Sequence, residues 1–313
     1  MFDLRLTKNP ELIADAQAGL SLIPKQISPK WFYDARGSAL FEDITRLPEY
    51  YPTRTETGIL RACVPDLSSL IDDDTVLMEL GSGASVKTRI LLDGFPCLKT
   101  YAPIDISTEF LEQTAARLSK AYPNLEVAPI NADFMAPIPL PIELFTAPKL
   151  LFFPGSTIGN LDIDQAHSLL AQFRNLPNVR GFILGVDLVK DPDILVAAYN
   201  DSDGVTAAFN LNLLTRLNRE AGANFNLDNF KHEARWNNEL SRIEMHLVSL
   251  INQSVTIGDK TYVFVAGESL HTENSHKFTR NRLDKLATRA GWSMSKLWMD
   301  DDVLFAVTLL TPA

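Results

Sequence analysis

The feature that most constrains this chain is a mostly apolar run, Thr75-Val76-Leu77-Met78-Glu79-Leu80, that passes directly into Gly81-Ser82-Gly83-Ala84-Ser85. An apolar run bounded by turn residues and followed by an amphipathic segment (Ile90, Leu91, Leu92) reads as a buried parallel strand feeding a helix. Glycines at that junction let backbone approach a ligand closely at a helix N-terminus, which is where open α/β sheets bind nucleotides. An ordinary tight turn uses the same residues, so the motif gains weight only from its surroundings.

Those surroundings repeat the pattern. Further strands are expected at Thr100 to Ile104, Leu125 to Ile130, Lys149 to Phe153 and Gly181 to Val186, separated by helical patterns such as Thr108 to Ala121 and Asp162 to Leu176. This alternation is that of a doubly wound parallel sheet. Its strands end in Asp105, Asp133-Phe134, Gly155 to Asn160 and Asp187, and in an open sheet those ends line one crevice. After about Asp191 the pattern changes to helices and then long antiparallel strands, with Arg242 to Leu250 and Tyr262 to Gly267 flanking a Gly258-Asp259 hairpin turn. The sheet style returns in a helix around Asn281 to Ala290 and strands Ser293 to Trp298 and Val303 to Leu310. The division expected is a core of residues 61–190 and 279–313 and a second lobe of residues 1–60 and 191–278.

Composition narrows the partner. Of 313 residues 46% are hydrophobic, and 29 basic against 39 acidic residues leave a net charge of −10, which opposes a nucleic-acid surface and favours a small molecule. The two cysteines, Cys63 and Cys97, form no metal or disulfide pattern, and there is no signal peptide or membrane-length apolar span. A cytoplasmic protein is expected, and a monomer, since no exposed apolar stripe stands out.

Asp105 follows Gly83 by 22 residues, at the end of the second strand, where a carboxylate either accepts hydrogen bonds from both ribose hydroxyls of a dinucleotide or of S-adenosyl-L-methionine or is simply a solvated strand-end acid. The turn lacks the third glycine of Gly-x-Gly-x-x-Gly, and a charged Glu79 just before it suits a cationic amino-acid tail better than a pyrophosphate. Asp133 offers an acceptor for an adenine amino group and Phe134 an aromatic face, or a core side chain. Lys87 is either a contact for the methionyl carboxylate or an ordinary solvated helix lysine.

Longer motifs then narrow the reading. Lys30-Trp31-Phe32-Tyr33-Asp34, the run from Arg46-Leu47-Pro48-Glu49-Tyr50-Tyr51 to Glu56, Gly155-Ser156-Thr157-Ile158-Gly159-Asn160-Leu161, Asp187-Leu188-Val189-Lys190-Asp191 and the segment from Gly204 to Asn210, with Arg242 to Met245 and Lys277-Phe278, resemble the L-histidine Nα-methyltransferases of ergothioneine biosynthesis over nearly the whole chain. The resemblance implies a class I SAM-dependent methyltransferase core, a Rossmann-like sheet, with an inserted substrate-binding lobe. It implies cofactor contacts at Gly81, Lys87, Asp105, Asp133 and Phe134, and substrate contacts at Tyr50, Asn160, Tyr199, Glu273 and Ser275. On that basis Asn160 and Tyr199 hold the substrate carboxylate, while Glu273 and Ser275, with Tyr50, hold the imidazole. The expected product is the trimethylated betaine hercynine, made without a metal. Other readings are a same-family enzyme acting on another amino acid, such as a prenylated tryptophan, a SAM-binding protein without turnover, and a nicotinamide-dependent reductase. The first of these would dispense with the polar pair Glu273 and Ser275.

Overall fold

The computed structural model describes residues 9–83 and 86–313, so Ala84 and Ser85 of the glycine turn lie outside the described residues. The helices in chain order are α1 (Pro10–Leu20), α2 (Ala35–Ile44), α3 (Tyr51–Leu67), α4 (Val86–Gly94), α5 (Thr108–Ala121), α6 (Ile142–Thr146), α7 (Ile163–Arg174), α8 (Pro192–Ala198), α9 (Val205–Ala221) and α10 (Arg280–Arg289). The strands are β1 (Val76–Leu80), β2 (Thr100–Asp105), β3 (Glu126–Val127), β4 (Ile130–Asn131), β5 (Lys149–Phe153), β6 (Val179–Asp187), β7 (Phe230–Asn237), β8 (Arg242–Ser249), β9 (Gln253–Ile257), β10 (Lys260–Phe264), β11 (Ser269–His276), β12 (Trp292–Met299) and β13 (Phe305–Pro312). They fall into two compact units, Met1–Tyr51 with Lys190–Ser275, and Pro52–Val189 with His276–Ala313.

The second of these, the sheet unit, is built on the order β12-β13-β6-β5-β1-β2-β3, with β4 also pairing β2. Strands β1, β2, β3, β4, β5 and β6 are parallel to their neighbours among themselves, and β13 runs antiparallel to both β6 and β12. Every residue of β1 and β5 is buried, as continuous apolar runs demand when both faces of a parallel sheet are covered. Leu169, Leu170 and Phe173 of α7 pack with Trp292 in one core, and Ile59, Leu60, Cys63 and Leu67 of α3 pack with Leu77, Leu150 and Phe152 in the other. That second contact is why α3 belongs with the sheet. Within β5, Lys149 is buried and donates to the carbonyls of Phe145, Ala147 and Pro177 at 2.8, 2.8 and 2.9 Å, and burial pushes its pKa down.

Two expected elements differ. The strand expected over Leu125 to Ile130 is broken into β3 and β4, because Pro129 between them has no N–H to give a ladder. The Gly258-Asp259 turn does join a hairpin, but its first strand is β9, while β8 pairs with β7 in a separate sheet of order β11-β8-β7. The segment Gln253–Ile257, not expected as a strand, directly precedes the turn and so forms the hairpin arm in place of Arg242 to Leu250.

The other unit is organised by α9, whose Phe209, Leu213, Leu214 and Leu217 are buried. Phe32 stacks on Phe209 at 4.6 Å, and Tyr33 meets Phe41 and Phe209 edge-on at 5.8 and 5.9 Å, so Trp31-Phe32-Tyr33 joins an aromatic cluster. Asp34 caps α2 through Gly37 N–H at 2.7 Å and also accepts from Asn212 at 2.9 Å and Arg219 at 2.6 Å.

The sheet unit loses the chain after β6 and regains it at the end of β11, and it ties the two points together. Phe278 N–H donates to the Asp187 carbonyl at 2.8 Å, Val189 N–H to the Phe278 carbonyl at 3.0 Å, and Leu188 bridges Phe278 in parallel. Beside this clasp the Lys277 ammonium meets the Asp187 carboxylate at 2.7 Å, with the two side chains 0% and 1% exposed. Among the described residues no helix is long and apolar enough to cross a membrane.

Candidate functional site

In an open sheet ligands bind beyond the carboxyl ends of the strands, where the strand order reverses. Here that point is β1, flanked by β2 and β5 and continued by Gly81. Gly81 has φ +66°, in the left-handed region that a side chain disfavours, and its N–H donates to the Ile104 carbonyl at 2.8 Å, tying the turn to β2. A Cβ placed on Gly81 would sit 3.7 Å from the Phe134 ring, so the aromatic face and the turn share one corner. Phe134 is supported edge-on by Phe153 at 5.3 Å.

Asp105 closes β2. Burial pushes its pKa up, opposed by N–H groups of Ser107, Gly83 and Ile106, of which Ser107 donates at 2.9 Å. Gly81, Asp105 and Phe134 are thus brought together. Asp133 stands one residue from Phe134, and its carboxylate accepts the Met135 N–H at 2.8 Å.

Lys87 and Glu79 are employed differently from expectation. The Lys87 ammonium is paired with Glu56, a carboxylate that is fully buried and that also accepts the Gly155 N–H on both oxygens at 2.9 Å. A ligand carboxylate at Lys87 would therefore share its cation with Glu56. Glu79, expected as a charged group facing a cationic tail, is buried, accepts from Thr88 at 2.6 Å and Tyr101 at 2.5 Å, and is pushed by burial up to about 8. The reason is position: inside a strand covered on both faces a carboxyl group has no water to stabilise its charge.

After β5 the chain turns through Gly155 (φ +81°) and Ser156 (φ +57°) into the short turn Thr157–Asn160. Ser156 Oγ accepts the Asp187 N–H at 2.9 Å, and a Cβ on Gly159 would stand 2.8 Å from the His276 carbonyl, so only glycine lets these backbones approach. That packing places Asn160 at the exit of the loop.

The remaining expected substrate residues lie in the other unit, and three of them cluster. Tyr199, at the C-cap of α8, shares a 2.7 Å hydrogen bond between its Oη and Ser275 Oγ, and the Tyr50 ring meets the Tyr199 ring edge-on at 6.2 Å. Glu273, buried, stands two residues before Ser275 on β11 and so on the same side of the strand.

Beneath them is a network that the sequence pattern did not indicate. Asn210 of α9, fully buried, donates to His232 Nδ1 at 2.9 Å and to the His246 carbonyl at 3.1 Å, and accepts from Thr272 Oγ at 2.8 Å. With Nδ1 accepting, His232 carries its proton on Nε2 and donates it to the Tyr199 carbonyl at 2.8 Å; burial pushes its pKa down, in keeping with the neutral ring. Thr272 directly precedes Glu273, so one amide steadies the backbone at both Tyr199 and Glu273. Glu56 and Asn210 lie within the motifs Arg54-Thr55-Glu56 and Phe209-Asn210, which was the one available signal for them.

The donor set fits a nucleoside-bearing cofactor: a tight glycine turn at the switch point, a strand-end carboxylate beside it and an aromatic ring against the turn. With the strand order and its one antiparallel strand β13, this defines a class I SAM-dependent methyltransferase. The chain belongs to the histidine-specific, SAM-dependent methyltransferase family, whose profile matches residues 12–312. It is 42% identical over 304 residues to a histidine N-alpha-methyltransferase of Mycolicibacterium smegmatis, covering 94% of this chain and 93% of the relative. A histidine N-alpha-methyltransferase of Mycobacterium tuberculosis is likewise 42% identical over 302 residues, with 94% and 93% covered. The N-methyltransferase imqF of Aspergillus flavus is 25% identical over 311 residues, with 95% and 84% covered.

Proposed function

We propose that this protein transfers methyl groups from S-adenosylmethionine to the α-amine of L-histidine, through the mono- and dimethyl forms, to give the trimethyl betaine hercynine for ergothioneine biosynthesis. The observation that carries the reading is the 42% identity to a histidine N-alpha-methyltransferase across 94% of the chain, which takes in both units.

When bound, S-adenosylmethionine supplies an electrophilic methyl group on a sulfonium sulfur. Transfer would join the amine nitrogen to that carbon as the C–S electron pair returned to sulfur, and each transfer before the last would release a proton from nitrogen. The residues need only select the neutral amine, align it and exclude alternatives. Orientation of this kind contributes about 7–11 kcal/mol in well-aligned systems. Gly81, Asp105, Asp133 and Phe134 are assigned to the nucleoside, and Lys87, shared with Glu56, to the methionyl carboxylate. Tyr199 and Asn160 are assigned to the histidine carboxylate, and Glu273, Ser275 and Tyr50 to the imidazole. A carboxylate accepting an imidazole N–H is worth roughly 1.5–3 kcal/mol and disfavours substrates without that donor. The shared Tyr199–Ser275 bond supports this division, since it joins the two proposed subsites in one geometry. A reduced, cytoplasmic setting accords with Cys63, whose thiol burial pushes up to about 12, and with Cys97, which is exposed and free.

The test is mass spectrometry of L-histidine incubated with S-adenosylmethionine and the purified protein, beside a panel of other amino acids and the variant Glu273→Ala. Trimethylhistidine from the parent, with at least a tenfold lower kcat/KM in the variant (about 1.4 kcal/mol), is the expected result. Methylation of another amino acid in preference to histidine overturns the substrate assignment.

A further inference from the structure

The sheet β11-β8-β7 carries a second polar cluster on which methyl transfer makes no demand. Glu244 and His246 are two apart on β8 and so share a face, and His271 stands on the adjacent strand β11. One donor atom from each of the three lies within 4.8 Å of the others. The two imidazole rings stack with centroids 5.0 Å apart and planes at 25°, and His246 Nε2 is 3.2 Å from Glu244 Oε2. The His246 side chain is 8% exposed, and among the described residues its buried Nδ1 has no hydrogen-bond partner, so with the ring proton resting on Nδ1 the lone pair of Nε2 is the one turned toward Glu244 Oε2.

We propose that Glu244, His246 and His271 form a binding site for a divalent transition-metal ion of the zinc class, as a two-histidine, one-carboxylate donor set completed by water. The borderline character of imidazole nitrogen and the hardness of carboxylate oxygen suit zinc and cobalt(II) over magnesium or calcium. Four-coordinate zinc holds such donors at about 2.0–2.2 Å, which sets them roughly 3.4 Å from one another. The His246–Glu244 separation of 3.2 Å already meets that spacing, so closure falls to His271, which is only partly buried.

The surroundings have the form of an outer ligand shell. Glu244 divides its oxygens: Oε1 takes Arg242 Nε at 2.8 Å, Arg242 Nη2 at 2.6 Å and Asn237 at 2.9 Å, while Oε2 faces His246. His271 Nε2 lies 3.0 Å from the Glu273 carbonyl, the kind of outer-shell bond that fixes the tautomer of a metal-bound histidine and leaves Nδ1 to ligate. Asn274 also bears on His271. Burial pushes His246 down to about 4 and lowers His271, and although burial opposes it Arg242 and Asn237 hold Glu244 near 2, so all three groups rest in their metal-binding forms at neutral pH. The cations of Arg242 and Arg235 face the cluster and oppose a second positive charge, which makes the site weaker than a closed structural zinc centre.

The test is cobalt(II) titration of the untagged full-length protein after chelator treatment. The expected result is visible d–d absorption that saturates at one equivalent and is displaced by zinc, with the affinity reduced at least about tenfold in Glu244→Gln and in His271→Leu. Anomalous diffraction from zinc-soaked crystals of the parent reads the same question without a variant, and a peak bridging the three side chains is expected. Absence of a saturable spectrum, a spectrum unchanged in both folded variants, or an anomalous peak elsewhere overturns the proposal. None of these readouts depends on which amino acid the enzyme methylates.

Discussion

Replacing Lys277 by methionine isolates the clasp at which the sheet unit regains the chain. Lys277 and Asp187 are 0% and 1% exposed and 2.7 Å apart, so the substitution leaves a carboxylate that cannot be rehydrated without opening the structure. Removing one partner of a buried pair destabilises by about 3–5 kcal/mol, whereas replacing both with apolar groups of similar volume is often neutral or stabilising. Lys277→Met alone is therefore expected to lose about 3–5 kcal/mol, and Asp187→Leu with Lys277→Met to recover most of it. Urea unfolding read by tryptophan fluorescence follows this, because Trp292 is buried in the same unit and donates to the Leu170 carbonyl at 2.9 Å. The double-mutant cycle supplies the coupling directly. A loss below about 1 kcal/mol for the single variant, or a double variant no more stable than the single, would refute the view that the buried Lys277–Asp187 pair sets the magnitude.

Further expectations concern single groups. Glu79, with an ordinary value of 4.5, is pushed up to about 8, so between those values the native state holds a proton that the unfolded chain has released; stability falls as pH rises through that window, by at most about 1.4 kcal/mol per pH unit. Glu79→Gln is expected to flatten the slope of stability against pH, and an unchanged slope would show that another group is responsible. Gly81→Ala forces a left-handed residue at about 1–2 kcal/mol while its methyl meets Phe134 only at ordinary contact distance, so weaker S-adenosylmethionine binding by calorimetry is expected with little loss elsewhere. Asn210→Ala leaves His232 Nδ1 without its donor and removes two further bonds, which predicts about 2–3 kcal/mol of destabilisation and a KM for histidine raised more than kcat is lowered. Equal falls in kcat and stability with KM constant would make Asn210 structural only.

How far the pattern could be read shows in where it stopped. Continuous apolar runs at Val76–Leu80 and Lys149–Phe153 announced buried parallel strands because burial on both faces removes any alternation. The turn at Gly81 and the acid at Asp105 were legible for the same local reason, each being fixed by the strand it terminates. Glu56 was not: it reaches the Gly155 N–H across 99 residues, a partnership made by packing of α3 on the sheet and invisible to any window of sequence. The burial of Glu79 was not legible, because its identity was visible and the layers covering it were not. The hairpin partner was missed because the five-residue strand Gln253–Ile257 is too short to stand out beside the longer run Arg242–Ser249, which pairs with β7 instead.

The clasp at Leu188 and Phe278 also has an evolutionary and practical reading. A chain excursion that leaves at Leu188 and rejoins its host at Phe278, one point of the structure, asks little of the host's topology. Shortening such an excursion to about ten residues changes the entropy of closing it by only about 2 kcal/mol, since that entropy varies with the logarithm of length. The segment between Lys190 and Ser275 thus makes little demand on the sheet it leaves, with β6 and β13 keeping their register, while its own core is tied to α2 and the residues before it through Phe32, Asp34 and their partners on α9.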